Sequence, residues 1–212
     1  MANNVMNLMH IEGGTDEDLA KFEKDIANEK GELDLNKLFP CPEELNTVQS
    51  PLCIVTQAER DAVIAKHEEQ VKSNPSLAKL SVGFPITQEM HDDFVAKYGF
   101  ADWYSWRIAN WGTKWGLYDC ERCDNNEIAY QTAWSPASEF WQNVSKSYPS
   151  IVFYHEYGEA GCCFAGFERI QNGSIIESSD PEWESPEANE ICDRVGCPYG
   201  GDDDEDEDES ED

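Results

Sequence analysis

Residues Val5 to Glu12 (VMNLMHIE) alternate apolar and polar at a period of two, and Gly13-Gly14 close the run, which predicts a strand. The period then changes. In TDEDLAKFEKDIANEKG, Leu19, Phe22, Ile26 and Ala27 recur at helical spacing. Thr15 is placed to cap that helix, Asp18 stands at the capping-box position and Gly31 is the expected stop. LDLNKLFPCPEEL reads as a short extended segment running into a Pro-x-Pro loop. Gln57 to Ser73 predicts a polar helix whose few apolar points are Val63, Ile64 and Val71, so residues 46–85 are read as a helical insertion that could serve as a lid. A further helix is capped at Thr87, carries Met90, Phe94, Val95 and Tyr98, and ends at Gly99. Another opens at Asp102, sets Trp103, Trp106 and Asn110 along one side, and ends at Gly112.

From Lys114 the period returns to two. KWGLYD, a turn through Cys123-Asp124-Asn125-Asn126, and EIAYQTAW predict a hairpin. Ser135-Pro136 predicts a helix start, with Ser135 as cap and Pro136 at the first position, running through Phe140, Trp141 and Val144 to about Tyr148. SIVFYHEYG, AGCCFAGFERIQ and GSIIES follow as three short strands separated by glycine-containing turns. The order is α+β: helices packed on one face of an antiparallel sheet. Residues 1–176 are expected to form this domain. Residues 177–212 are expected to be an acidic, disordered tail, because Trp183, Ile191, Val195 and Tyr199 are its few anchors.

Composition supports one core: 40% of the 212 residues are hydrophobic, including 7 Trp, 8 Tyr and 9 Phe. No apolar run approaches the ~18 residues that span a bilayer. The first residues, MANNVMNLMHIEGG, lack the basic start and apolar stretch of a secretion signal, so the cytoplasm is the expected location. Charge alters the picture most. There are 44 acids and 15 bases, a net charge of -29, and the last eleven residues, DDDEDEDESED, contain ten of the acids, beginning with Asp202, Asp203, Asp204, Glu205 and Asp206. Residues 1–176 alone hold 27 acids and 14 bases. Such a chain is expected to repel nucleic acid and anionic membrane and to be attracted to basic protein surfaces.

WYSWRIANWGTKWGLYD, then AYQTAWSP and YHEYGEAGCCFAGFE, together with the N-terminal strand and LNKLFPCPEEL, resemble the YubB ferredoxin-like family of phage and plasmid proteins over roughly residues 1–170, apart from gaps in the insertion. The resemblance implies a ferredoxin-like sheet and a bacterial host cytoplasm. It carries no catalytic set to this chain. Gly116 departs from the pattern, since many members have Asp after the second Trp of the NWGTKW block.

Four tryptophans fall between residues 103 and 115. Bulky rings are what a sheet needs beneath its helices, so core packing is the first reading. The second is a ligand or partner surface made of Arg107, Trp111, Lys114, Trp115 and Trp134, where indoles and a guanidinium offer flat π surfaces. Cys120-x2-Cys123 has the spacing of a zinc knuckle, and Cys192-x4-Cys197 is the other pair with usable spacing. Free thiols and no cofactor are the expectation, with a four-cysteine zinc site as the alternative. Cys162 and Cys163 are expected as strand neighbours facing opposite sides, buried as small hydrophobes. His155, with Glu156 and Glu159, is read as part of a surface hairpin. The sequence contains no G-x-S-x-G, Walker loop or G-x-G-x-x-G.

The functional expectation is therefore a non-enzymatic, phage- or plasmid-type acidic protein. It would bind a basic host protein (a nuclease, defence complex or DNA-binding protein), as a nucleic-acid mimic, without touching nucleic acid or membrane itself. The alternative is a nucleotide or small-molecule binding module, or an enzyme, using the tryptophan-rich surface.

Overall fold

The computed structural model describes residues 3–123 and 126–197. Strand β1 (Asn4–Gly13) leads into helix α1 (Asp16–Asp25). A long excursion follows, made of a 3-10 turn at Leu35–Leu38, α2 (Glu43–Asn46), α3 (Gln57–Ser73), a second 3-10 turn at Pro75–Lys79, α4 (Gln88–Tyr98) and α5 (Trp103–Trp111). The chain then returns to the sheet through β2 (Tyr118–Arg122), β3 (Glu127–Ala133), α6 (Ser138–Ser145), β4 (Ile151–Glu159), β5 (Phe164–Gln171) and β6 (Ser174–Ser179), and finishes with α7 (Pro186–Val195). The six strands form one antiparallel sheet in the order β2-β3-β1-β4-β5-β6. The quartet β2-β3-β1-β4, with α1 and α6 as its crossovers, is the split β-α-β arrangement of a ferredoxin-like fold, here widened by β5 and β6.

Period two decides what each strand shows to each layer. In β1, Val5, Asn7 and Met9 alternate with Met6 and Leu8. Met9 joins Phe153, Ile151 and Ile170 in the main core, where Phe22 and Ile26 close over it from α1 and Phe140, Trp141 and Val144 from α6. Leu8 points the other way, into a second cluster with Ala165 and with Ala188, Ile191, Cys192 and Val195 of α7.

The second cluster corrects the expectation of a disordered tail over residues 177–197, which hold the end of β6 and all of α7; the remainder of that expected tail, residues 198–212, lies outside the described residues. The proposed boundary at 176 falls inside β6, and α7 packs on the sheet face opposite to α1 and α6. The physical reason is in the helix. Ser185 caps it by accepting from Ala188 N, Pro186 occupies its first turn and Gly196 ends it at φ 68, so ten residues become helical. Its four apolar residues then lie on one face. A polar clamp adds to this. Glu156, wholly buried on β4, accepts from Arg194 Nε (2.9 Å) of α7 and from Tyr154 Oη (3.0 Å), and lies 3.0 Å from His10 Nε2. Burial alone would raise the Glu156 carboxyl, but the bonds from His10 and Arg194 outweigh it and hold it at about 2.

Three local expectations also shift. Helix α1 ends at Asp25, before Gly31, because the Asn28 side chain accepts from Lys30 N (2.8 Å) and Glu32 N (2.9 Å) and turns the chain back. Strand β2 begins at Tyr118 and not at Lys114, because Asn36 holds Leu117 at both its N–H (2.9 Å) and its C=O (2.8 Å) and keeps the preceding residues in a loop. Helix α6 starts at Ser138 after an Ala137 cap without a side-chain bond, since Ser135 Oγ donates instead to Gly112 O.

Removing the wall over the second face should be costly. Ile191→Ala is expected to lower unfolding free energy by about 2–4 kcal/mol in a denaturant titration. Truncation at Ser178 should lower the melting temperature sharply. An unchanged transition in both variants would mean that α7 does not dock.

Candidate functional site

Helix α5 organises the tryptophan block. Asp102 caps it, accepting from Ser105 N (2.8 Å) and Ser105 Oγ (2.9 Å), and Gly112 ends it in the left-handed region at φ 74. Trp106 and Trp111 face the core and meet edge to face at 5.8 Å between centroids. The Trp111 indole N–H donates to Phe39 O (2.8 Å), so its polar end is satisfied inside the protein. Arg107 lies between Trp103 and Trp111, its guanidinium carbon 4.9 Å from each ring centroid. It donates to Asn46 Oδ1 (2.7 Å), touches the Cys41 thiol, and has its Nε buried without an acceptor.

Beside Arg107 is an open cavity of about 730 Å³. One wall is Trp103, Arg107 and Trp115. The other comes from the two ends of the 46–85 insertion, Asn46, Val48, Gln49 and Ser50 at one and Ser81, Val82 and Gly83 at the other. Those ends are tied by a parallel bridge between Val48 and Phe84, with Gln49 N donating to Phe84 O (3.0 Å) and Phe84 N to Thr47 O (2.8 Å). Gly83 is required there, because a Cβ would fall 2.6 Å from the Gln49 Cα. Helix α3, the expected polar helix, buries none of its 17 residues and is carried on this stem. Trp115 is 42% exposed and has Lys114 Nζ 4.1 Å from its ring centroid. The cavity lining holds Arg107 and no acid, in a chain where acids outnumber bases by nearly three to one.

The structure thus gathers part of the surface drawn from the sequence. Arg107 and Trp115 share one cavity, Lys114 backs Trp115, and Trp111 is a core residue that braces Arg107 from behind. Trp134, 48% exposed at the end of β3 with φ 73, does not line the cavity. Trp103 adds to the α5 wall, and Asn46, Val48, Gln49, Ser50, Ser81, Val82 and Gly83 form the rest; these seven were missed, because only the folded stem brings them beside α5. Gly116 has a steric cause: a Cβ there would meet Asn36 Oδ1 at 2.4 Å, so the space an acid would need is filled by the side chain that holds Leu117.

The cysteines do not assemble as a four-thiolate site. Cys120 packs against the main core, whereas Cys192 and Cys197 belong to the cluster under α7, on the other face of the sheet. Burial pushes the Cys120 thiol up to about 11 and the Cys192 thiol up to about 12. Among the described residues, no three His, Cys, Asp or Glu side chains are grouped to hold a metal ion. Cys162 and Cys163, expected inside a strand, lie exposed in the β4–β5 turn, with Cys163 at φ 56. His155 is not on a surface hairpin. It is fully buried on β4, where Nε2 lies 2.9 Å from Tyr130 Oη and 3.0 Å from Asn7 Oδ1. The acids Asp202 to Asp206 lie outside the described residues.

The fold and the cavity define an α+β protein with a ferredoxin-like domain. Residues 111–198 match the family model described as a ferredoxin-like domain in Api92-like protein, a span that begins at Trp111 and takes in α7. Among solved structures, the chain is similar to the crystal structure of a protein api92 from Yersinia pseudotuberculosis, at 10% identity and a TM-score of 0.48, over 87% of this chain and 100% of that one. No curated protein matches. Among the described residues, no helix is long and apolar enough to cross a membrane.

The buried ionisable groups give stability a pH signature. Desolvation, only partly offset by the Glu156 charge, lowers His155 to about 3, against about 6.5 when unfolded. The unfolded chain therefore takes up a proton that the native state refuses. The His155 contribution is complete above pH 6.5 and is lost as pH falls from there toward 3. Glu156, held at about 2 against about 4.3 unfolded, adds a second loss as pH falls from about 4.5 toward 2. Denaturant midpoints should fall steadily below pH 6.5, and His155→Asn should flatten the upper part of that slope. A midpoint that is level from pH 6.5 to 4 in the unsubstituted protein would contradict this assignment.

Proposed function

We propose that the protein acts by occupying a basic protein surface in a bacterial host, with no catalysis and no cofactor, presenting negative charge in place of nucleic acid. The observation that carries this reading is how the folded chain uses its charges. Arg122 is paired with Glu23, Arg169 with Glu12 and Glu177, Arg194 with Glu156 and Glu190, and Lys97 with Glu44. Lys21 and Lys37 donate to the main-chain oxygens of Ser147 and Ala27. With so many of its few bases engaged internally, the outward field belongs to the acids, and the dense run from Asp202 adds to it. B-DNA presents one negative charge per ~1.7 Å of axis, and an acidic fold with such a run approximates that field. The resemblance to the YubB family supports a phage or plasmid setting, in which blocking a host nuclease, defence complex or DNA-binding protein has a use.

A pull-down from a bacterial lysate should capture a basic protein, and DNA should compete for it. Association should slow steeply as salt rises, since exposed charges farther apart than about 8 Å are screened at physiological ionic strength. Deleting Asp202–Asp212 should slow association more than it speeds dissociation, because diffuse charge acts mainly on encounter. Affinity that stays level from low to high salt would refute the proposal.

A further inference from the structure

The cavity between α5 and the stem of the insertion combines a fixed guanidinium, an indole open to solvent and four uncharged polar side chains, Asn46, Gln49, Ser50 and Ser81. We propose that it binds a mononucleotide-class ligand, a flat heterocycle carrying one phosphate group, with the ring against Trp115 and the phosphate at Arg107. The inference rests on the cavity alone and is independent of any protein partner.

Arg107 suits the phosphate because it is already held in place. Two indoles sandwich its guanidinium at 4.9 Å and Asn46 takes one donor. A guanidinium has five N–H donors in a rigid fork, and phosphate oxygens accept from such a fork in pairs. Little side-chain freedom remains to be lost when the ligand arrives. No carboxylate lines the cavity to compete for Arg107. Lys114 is not part of the lining; its Nζ lies 4.1 Å from the Trp115 ring centroid and backs that indole.

Trp115 suits the heterocycle. It is 42% exposed and forms part of the wall, so an aromatic surface is offered to the cavity. Stacking on indole tolerates any base, because every base has a π face. The four polar side chains are of the kind that bond sugar hydroxyls and ring edges, and about 730 Å³ lies within the usual range of roughly 300–1,000 Å³ for small-molecule sites. The overall charge sets the upper size of the ligand. One phosphate meets the Arg107 guanidinium, but each further phosphate of a strand would extend into the field of a chain with a net charge of -29. The site is therefore for a mononucleotide and excludes an oligonucleotide.

The test titrates the full-length protein with AMP, UMP, adenosine, inorganic phosphate and a ten-nucleotide single strand, following heat by calorimetry and tryptophan fluorescence. AMP and UMP should bind saturably at one site per chain. Adenosine and phosphate should each bind about tenfold more weakly or worse, since each lacks one of the two contacts, and the oligonucleotide should not bind. Trp115 is exposed, so Trp115→Ala should fold and should weaken AMP binding about tenfold or more. Arg107→Lys, checked for folding by circular dichroism, should weaken AMP while leaving adenosine unchanged. No saturable signal from either nucleotide at millimolar concentration would overturn the proposal. So would phosphate binding as tightly as AMP, or a folded Trp115→Ala variant that binds AMP like the unsubstituted protein.

Discussion

Strand β1 must bury both of its faces, and most of the architecture answers that requirement. It lies between β3 and β4 with antiparallel pairing on each side. Its even and odd side chains therefore face two separate layers. Met9 is covered by the aromatic core beneath α1 and α6, and Leu8 by α7. Without α7 the face carrying Leu8, Ala165 and Glu156 would be open to water, and so would the buried carboxylate at its centre. The Glu156 clamp turns that liability into orientation. Its oxygens are met by Tyr154, His10 and Arg194, and Arg194 engages them only when α7 is seated in one register. Removing the partner of such a buried carboxylate is costly, because it leaves that charge buried and uncompensated.

The same division explains what the sequence made legible. Elements whose signal is local were readable at residue level. Helix Gln57–Ser73 has the bounds its sequence predicts, Gln88–Tyr98 lies between its Thr87 cap and Gly99, and period two marked β1, β3 and β4. Helix α7 was not readable. Its apolar residues are few and set among acids, and their value depends on a sheet face that forms far away in sequence. Composition argued for disorder, yet a Ser cap, a Pro in the first turn and a closing Gly were all present. The conflict was between a global measure and local signals, and here the local signals prevailed.

His155 and the cysteines show a second kind of opacity. A histidine flanked by acids near a turn looks solvent-facing, but alternation along β4 sends His155 and Glu156 to opposite faces, both of them covered. Spacing of Cys120 and Cys123 suited a metal knuckle, and spacing says nothing about which side of a sheet a distant pair will occupy. The tryptophan block was legible as a block and ambiguous in role. The fold resolves it by splitting it: Trp106 and Trp111 are core, Trp103 and Arg107 are the boundary, and Trp115 is left facing outward.

That split links the insertion to the cavity. An excursion of about forty residues could be tolerated as a surface decoration, since loop-closure cost grows only slowly with length. Its outer helix is stabilised by a reciprocal capping box at Thr56 and Glu59 and buries no side chain, so α3 adds little to the core. Its stem is different. Val48 and Ile86 are buried, the two ends are bridged in parallel, and Gly83 permits an approach that any side chain would block. Close packing is therefore spent on fixing the point where residues 46–50 and 81–83 meet Arg107. A decoration needs no such anchorage, whereas a wall that must keep Asn46 2.7 Å from a guanidinium nitrogen does.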